Sequence, residues 1–353
     1  MNNLRVMIAD GSATYKKMFM QAVAELNKNA VVTCVSDKDE VLYEIRCRDY
    51  EFIIVDTELS DLSTLLKEIK LNIPKTFVLV TARPSVAGEN LCAEALLNGA
   101  SSCLIKPIHQ SYRENYDTIK SKIAQILNEL VAGQQKSPAR AVKSEKAGAC
   151  PTFEKNITDL SRLKPDLVLI ASSTGGPQAL DIVIPELKKE FPVPVLVVQH
   201  MLPKFTDTLA YNLDRRAMLK VKVAEHGETA VTGTVYIAPG GMHMRLIGEK
   251  TLRLDEAPPV NGVRPAADVL FASVANAYAG KEVLAVILTG MGHDGEKGIL
   301  GLKEKCCCFC IAQSEATCVV YGMPRAVVES GLADTVIDLD SVAPTLNTLS
   351  DKG

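Results

Sequence analysis

The stretch Pro165 to Pro177, PDLVLIASSTGGP, places a serine where a nucleophile would be useful. Leu167 to Ile170 is apolar and long enough for a buried strand, and small residues follow it. Pro177 suits the first turn of a helix, which Pro185 kinks or ends. Strand, tight turn and helix lift a hydroxyl out of a sheet and aim helix N–H groups at it. That geometry suits Ser173, with N–H donors nearby for an oxyanion. Residues 171–175, ASSTG, match the G-x-S-x-G elbow except for Ala171 in place of the first glycine. Taken alone, the stretch is more readily a phosphate-binding or purely structural turn. Two further strand ends change the balance. The run Val193 to Val198 delivers His200, which in a parallel sheet would face the same edge as Ser173 and serve as its general base. The run Val283 to Leu288 delivers Asp294. Gly290, Gly292 and Gly295 formally satisfy G-x-G-x-x-G, a dinucleotide fingerprint. An aspartate facing the pyrophosphate would repel it, and no strand-end acid follows at the ribose-binding distance. By itself the motif leaves a dinucleotide site and an aspartate orienting His200 about even. With Ser173 and His200 at comparable strand ends, the nucleophile, base and acid set prevails. The chain order Ser173, His200, Asp294 differs from the serine, aspartate, histidine order of α/β-hydrolases. His226 and His243 read as ordinary surface or loop histidines. Arg264 and Asp268 are either structural or line the site.

The first half of the chain holds a different constellation. Asp10 ends the first apolar run, Asp56 the third, Thr81 follows the fourth, and Lys106 ends the fifth. Two carboxylates, a hydroxyl and a lysine at one sheet edge suit a divalent cation and a phosphoryl group.

These residues need elements to hold them. Strand-like runs alternate with helical patterns over residues 1–125, with a helix from about Ala13 to Leu26 and another near Asp39 to Cys47. Five such β-α units predict an α/β, doubly wound parallel sheet. Residues 126–164 begin as helix to about Leu130, then lose apolar periodicity and read as a linker. Residues 165–350 predict a second doubly wound, Rossmann-like sheet, with VKVAEHGETAVTGTVYIAPGGMHMRLIG as a β insertion containing a hairpin. A length of 353 residues favours two such domains over one. The net charge of −3 gives no bulk reason to expect nucleic acid. No apolar run approaches a membrane span, and the start MNNLRVMIADG is no signal peptide, so a cytoplasmic protein is expected. The ten cysteines fit that compartment. CCCFCIA reads as a buried strand using cysteine as a small hydrophobe, since adjacent cysteines point to opposite faces and cannot converge on a metal.

Residues 1–125 resemble the receiver domains of two-component signalling, which implies a flavodoxin-like fold. The resemblance implies that Asp56 accepts a phosphoryl group and that Asp10 and Asp56 bind Mg²⁺. Thr81 and Lys106 match the switch hydroxyl and lysine. The family usually has a second acid where Gly11 stands, which should weaken Mg²⁺ binding. Ser60 and Thr64 replace a usual proline and glycine, and Cys103 stands where an aromatic switch residue is common. The motifs ASSTGG, VVQHM, YIAPGG, PPVNGVRP, DVLF, VILTGMGHDG and IAQSEATCVVYGMP resemble the catalytic domain of chemotaxis protein-glutamate methylesterases. The order receiver, linker, esterase also matches, over nearly the whole chain. This resemblance implies a response regulator that hydrolyses glutamate methyl esters on methyl-accepting chemoreceptors, releasing methanol, and deamidates receptor glutamines. It implies a chemotaxis sensor histidine kinase as partner, no cofactor for the esterase, and no nucleic acid or membrane insertion. Ser173 corresponds to the nucleophile, His200 to the base and Asp294 to its orienting acid. The N–H of Met291 corresponds to an oxyanion donor, and Thr174 lines the site. Ser172 stands where the family often has alanine, and His293 where it often has asparagine. The competing readings are a non-catalytic interaction module and a dinucleotide-dependent enzyme.

Overall fold

The computed structural model describes residues 4–134 and 163–350. The chain divides into two compact units, Met1–Gln135 and Lys136–Gly353. Most of the expected linker, residues 135–162, lies outside the described residues.

The first unit is a five-stranded parallel sheet. Its strands are β1 (Arg5–Ala9), β2 (Val31–Val35), β3 (Phe52–Asp56), β4 (Phe77–Ala82) and β5 (Ser102–Ile105), in the order β2-β1-β3-β4-β5. Helices α1 (Ala13–Leu26), α2 (Lys38–Cys47), α3 (Leu62–Asn72), α4 (Val86–Leu97) and α5 (Tyr112–Gln134) alternate with them. The central strands read as unbroken apolar runs because helices cover both faces of such a sheet. Ile53, Ile54, Val55, Val78, Leu79 and Val80 are fully buried. Each such side chain contributes about 1.5–3 kcal/mol relative to exposure. The order is the flavodoxin-like one, with its switch point between β1 and β3. All five expected strands are present. Cys92 on α4 and Cys103 on β5 form a disulfide, with Cα atoms 6.0 Å apart. The cysteine reading had not foreseen that bond, because the two lie in separate elements that only the fold brings together.

The second unit is built on a seven-stranded parallel sheet. Its strands are β6 (Leu167–Ser172), β7 (Val195–Gln199), β8 (Lys220–Val223), β9 (Thr234–Ile237), β12 (Glu282–Ile287), β13 (Cys307–Gln313) and β14 (Thr335–Ile337). The order is β14-β13-β12-β6-β7-β9-β8. The chain runs outward from β6 on one side and returns to β12 on the other, so the switch point lies between β6 and β12. The helices are α6 (Gly176–Val183), α7 (Pro203–Asp214), α8 (Ala267–Ala277), α9 (Glu296–Lys305), α10 (Met323–Glu329) and α11 (Leu339–Asn347). α6 ends before Pro185, which can supply no N–H to continue it.

The segment expected as one β insertion divides. Its first half, β8 and β9, joins the main sheet in parallel register. The hairpin lies further along, as β10 (His243–Ile247) paired antiparallel with β11 (Thr251–Asp255). Short alternating strands look alike whether they pair with a neighbour or a distant partner, so the sequence could not separate the two. The cysteine-rich run forms β13, with Cys310 fully buried.

Candidate active site

Register brings the three residues together. Ser172 pairs with Gln199 across β6 and β7, so Ser173 and His200 stand side by side, each one step past its strand. The His200 N–H donates to the Ser172 carbonyl at 3.1 Å. On the other flank of β6, the Ser173 N–H donates to the Thr289 carbonyl at 3.0 Å, just past β12. From the loop after β12, Asp294 reaches across, and its Oδ2 lies 2.7 Å from His200 Nε2. Asp294 is buried and His200 nearly so, with side-chain exposures of 3% and 9%.

The carboxylate of Asp294 is saturated with donors. Oδ2 also accepts from the Ala267 N–H at 2.6 Å, and Oδ1 from the Asp268 N–H at 3.1 Å and Asn261 Nδ2 at 2.9 Å. Those two amides open α8, where a carboxylate is favoured by the helix dipole. Burial by itself would push the Asp294 carboxyl up. The His200 hydrogen bond and charge, with the two helix amides, outweigh burial and hold it below the ordinary carboxylate value.

The turn after β6 is packed around glycines for a stated reason. Gly175 sits at φ +77°, a conformation open to glycine. At Gly176, an added Cβ would meet Gln199 Oε1 at 1.9 Å. Gln199 is 1% exposed and fills that gap. It accepts from Ser172 Oγ at 2.6 Å and donates from Nε2 to the carbonyls of both Ser173 and His200, at 2.9 Å each. Ser172 is therefore spent on this clamp. Thr289 fixes the opposite side, its hydroxyl bonding the Thr174 carbonyl at 2.9 Å. Met291 and Thr174 are half-buried beside the serine, and their backbone N–H groups have no acceptor among the described residues.

One sequence reading changes here, and the open alternatives for Arg264 and Asp268 resolve. His243 is fully buried on β10, not a surface histidine: its Nδ1 accepts from the Ala266 N–H at 3.2 Å, leaving Nε2 to donate to the Pro258 carbonyl at 3.1 Å. It pins the loop leading into α8. Asp268 does not line the site; its Oδ1 accepts from the Gly295 and Gly298 N–H groups at 3.0 and 2.8 Å, capping α9. Arg264 donates to the carbonyls of Glu256 and Ala257. His226, exposed in the turn after β8, bonds Leu254 of β11. His293 is exposed and takes no part in the arrangement around Asp294. Gln199, Asn261 and Thr289 were missed. Gln199 had a signal, as a polar residue closing an apolar run, and Asn261 had another in its Asn-Gly turn.

In the first unit, Asp10, Asp56, Thr81 and Lys106 converge as expected. Asp56 and Thr81 are register partners on β3 and β4. Lys106 Nζ lies 2.8 Å from Asp10 Oδ2 and 2.6 Å from Asp56 Oδ2, and all three side chains are buried. Burial pushes the Asp10 carboxyl above its usual value against the opposing pull of Lys106, and the Asp56 charge adds to the rise. The Thr81 hydroxyl is buried with no hydrogen-bond partner among the described residues. An oxygen-rich group on Asp56 would supply one. Two carboxylates suit Mg²⁺, which is commonly held by one or two carboxylates plus phosphate oxygens, so these residues fit a cation–phosphoryl pair. At Gly11, an added Cβ meets nothing within 4 Å.

The CheB methylesterase family pattern matches residues 168–346. The protein-glutamate methylesterase/protein-glutamine glutaminase of Geobacillus kaustophilus is 35% identical over 351 residues, covering 98% of both chains. The chain belongs to this family. The Thermotoga maritima relative of the same name is 36% identical over 95% of each chain. The crystal structure of the Thermotoga maritima CheB methylesterase catalytic domain is 46% identical, with a TM-score of 0.50. It covers 52% of this chain and 98% of its own. The family is one of hydrolases, in keeping with the serine, histidine and aspartate at the switch point rather than a dinucleotide site at Gly290 to Gly295.

Proposed function

We propose that this chain hydrolyses glutamate methyl esters on methyl-accepting chemoreceptors and deamidates receptor glutamines, with Ser173, His200 and Asp294 as the triad. The observation that carries the reading is the 2.7 Å contact between His200 Nε2 and buried Asp294, with Ser173 one register step away. Because Nε2 faces the carboxylate, its proton is held there, and Nδ1 is left as the base. This reverses the chymotrypsin-type arrangement, in which Nε2 faces the serine. Ser173 Oγ attacks the ester carbonyl carbon while His200 Nδ1 takes its proton. The oxyanion is held by the Met291 and Thr174 N–H groups. The tetrahedral intermediate collapses, methoxide takes the proton from His200, and methanol leaves. Water then attacks the glutamyl-serine ester with His200 again as base, releasing the carboxylate and Ser173. With a glutamine side chain, ammonia leaves in place of methanol. This step requires no cofactor.

The first unit acts as the control input. Asp56 accepts a phosphoryl group from a chemotaxis sensor histidine kinase, and both steps take place in the cytoplasm. Asp10 and Asp56 would hold Mg²⁺, which neutralises phosphate charge during transfer. Lys106 and the unpartnered Thr81 hydroxyl meet the new oxygens.

Ser173→Ala is the test. Methanol release from methylated receptor is expected to fall by about 10³-fold or more with unchanged circular dichroism. Retained activity would refute the assignment.

A further inference from the structure

Asn261 lies outside the three residues assigned above, yet it touches the acid of the set. It and Gly262 form the two central residues of a tight turn between Val260 and Val263, which exchange backbone hydrogen bonds of 3.1 and 3.0 Å. Both turn residues have positive φ, +54° and +77°. That pairing is the preferred Asn-Gly hairpin turn, and it fully explains the backbone. It does not explain the side chain. Asn261 Nδ2 has two hydrogens, and each is used on a different carboxylate: Asp294 Oδ1 at 2.9 Å and Asp268 Oδ2 at 2.8 Å.

Those two acids form a reciprocal arrangement. Asp294 precedes α9 but accepts from the first amides of α8. Asp268 lies in the first turn of α8 but accepts from the amides that open α9. Both are buried, at 3% and 7% exposure. Two buried like charges repel unless donors fill the space between them. The Asn261 amide bridges them as a neutral donor to both.

We propose that Asn261 is a positioning residue for ester hydrolysis: its amide fixes the rotation of the Asp294 carboxylate, so that Oδ2 stays aimed at His200. The proposal rests on the triad reading above. Without the amide, Oδ1 keeps only the longer contact from the Asp268 N–H, and the carboxylate is held less firmly against rotation about the bonds to Oδ2. The imidazole is then held less well in the tautomer that leaves Nδ1 free for Ser173.

The surrounding loop is fastened by other bonds. His243 holds the Pro258 carbonyl, Arg264 holds those of Glu256 and Ala257, and the Gly241 N–H holds the Arg264 carbonyl at 3.0 Å. Glycine tolerates the positive φ of position 261. Asn261→Gly therefore removes the amide and leaves the turn.

The test is steady-state methanol release by the full-length protein, with melting temperature measured alongside. Asn261→Gly is expected to lower kcat about ten- to hundredfold with KM nearly unchanged, the usual effect of losing a hydrogen bond to a charged group. Asn261→Asp keeps the shape but sets a third carboxylate against the pair. It should lose at least as much, and it serves as the second variant if the glycine form melts early. The deciding step is the double variant with Asp294→Ala. If Asn261 acts through Asp294, removing its amide from the Asp294→Ala protein lowers the residual rate no further. Full activity in Asn261→Gly, or an undiminished further loss in the double variant, would overturn the proposal. An active Ser173→Ala would instead overturn the underlying triad reading.

Discussion

Asp294 shows how one side chain would join stability to the catalysis proposed here. Its carboxyl is held below the ordinary range despite burial, because His200 and the amides of Ala267 and Asp268 favour the charged form. A depressed carboxyl contributes stability above the unfolded-state value, near pH 4, and the contribution is lost as pH falls through the folded-state value. Asp294→Asn should therefore melt earlier than the parent at neutral pH. The gap should close as both are acidified below about pH 4, as followed by thermal melts across pH. Catalysis should fall more sharply, by about 10³–10⁴ in kcat, because an amide can offer its N–H to Nε2 and trap the wrong tautomer. Ser173 and His200 were legible as residues just past apolar runs, and Asp294 through the Gly290 to Gly295 motif that follows one. Their supports were not. Gln199, Asn261 and Thr289 each bond a residue 26 to 115 positions away, and no local periodicity records such pairs.

Elements were more legible where hydrophobic runs were long. The helix expected from Ala13 to Leu26 has those bounds, and the five strands of the first unit fall where their apolar runs fall. The segment from β8 to β10 was harder, because runs such as KVKV and HMRLI are broken by polar residues and alternate alike whatever partner they take. At the end of β1, the element poses a chemical question of its own. Gly11 stands beside Asp10, exposed, where an added side chain meets open space. The fold therefore accepts a carboxylate there, next to the two already present. Gly11→Asp should raise Mg²⁺ affinity several-fold, since a third hard oxygen donor and a further negative charge both favour the cation. Titration of the isolated ion against the full chain, in the absence of phosphodonor, reads this directly. Equal affinity in the two proteins would mean that position 11 points away from the cation, and that two carboxylates are the whole donor set.

At the scale of the molecule, each unit carries its own parallel sheet and buried core, and each places its chemistry at the carboxyl ends of its strands. Each unit therefore has what it needs to fold alone. A fragment of residues 163–353 contains the whole of Ser173, His200, Asp294 and their supports. It should fold and release methanol at a rate indifferent to a phosphodonor. The full chain should respond to a phosphodonor with Mg²⁺, because the Asp56 site lies only in the first unit. Phosphorylation replaces one charge on Asp56 by about two and adds oxygens for Lys106 and Thr81, a local event that shifts the population of the whole unit. Asp56→Asn should abolish the response and leave basal activity in place. The comparison separates two forms of control. A fragment faster than the unphosphorylated chain would mean that the first unit restrains the second and that phosphorylation relieves the restraint. A fragment as slow as the unphosphorylated chain, beside a faster phosphorylated one, would mean that the first unit activates directly. A full chain indifferent to the phosphodonor would show that the Asp10, Asp56 and Lys106 cluster does not govern the esterase.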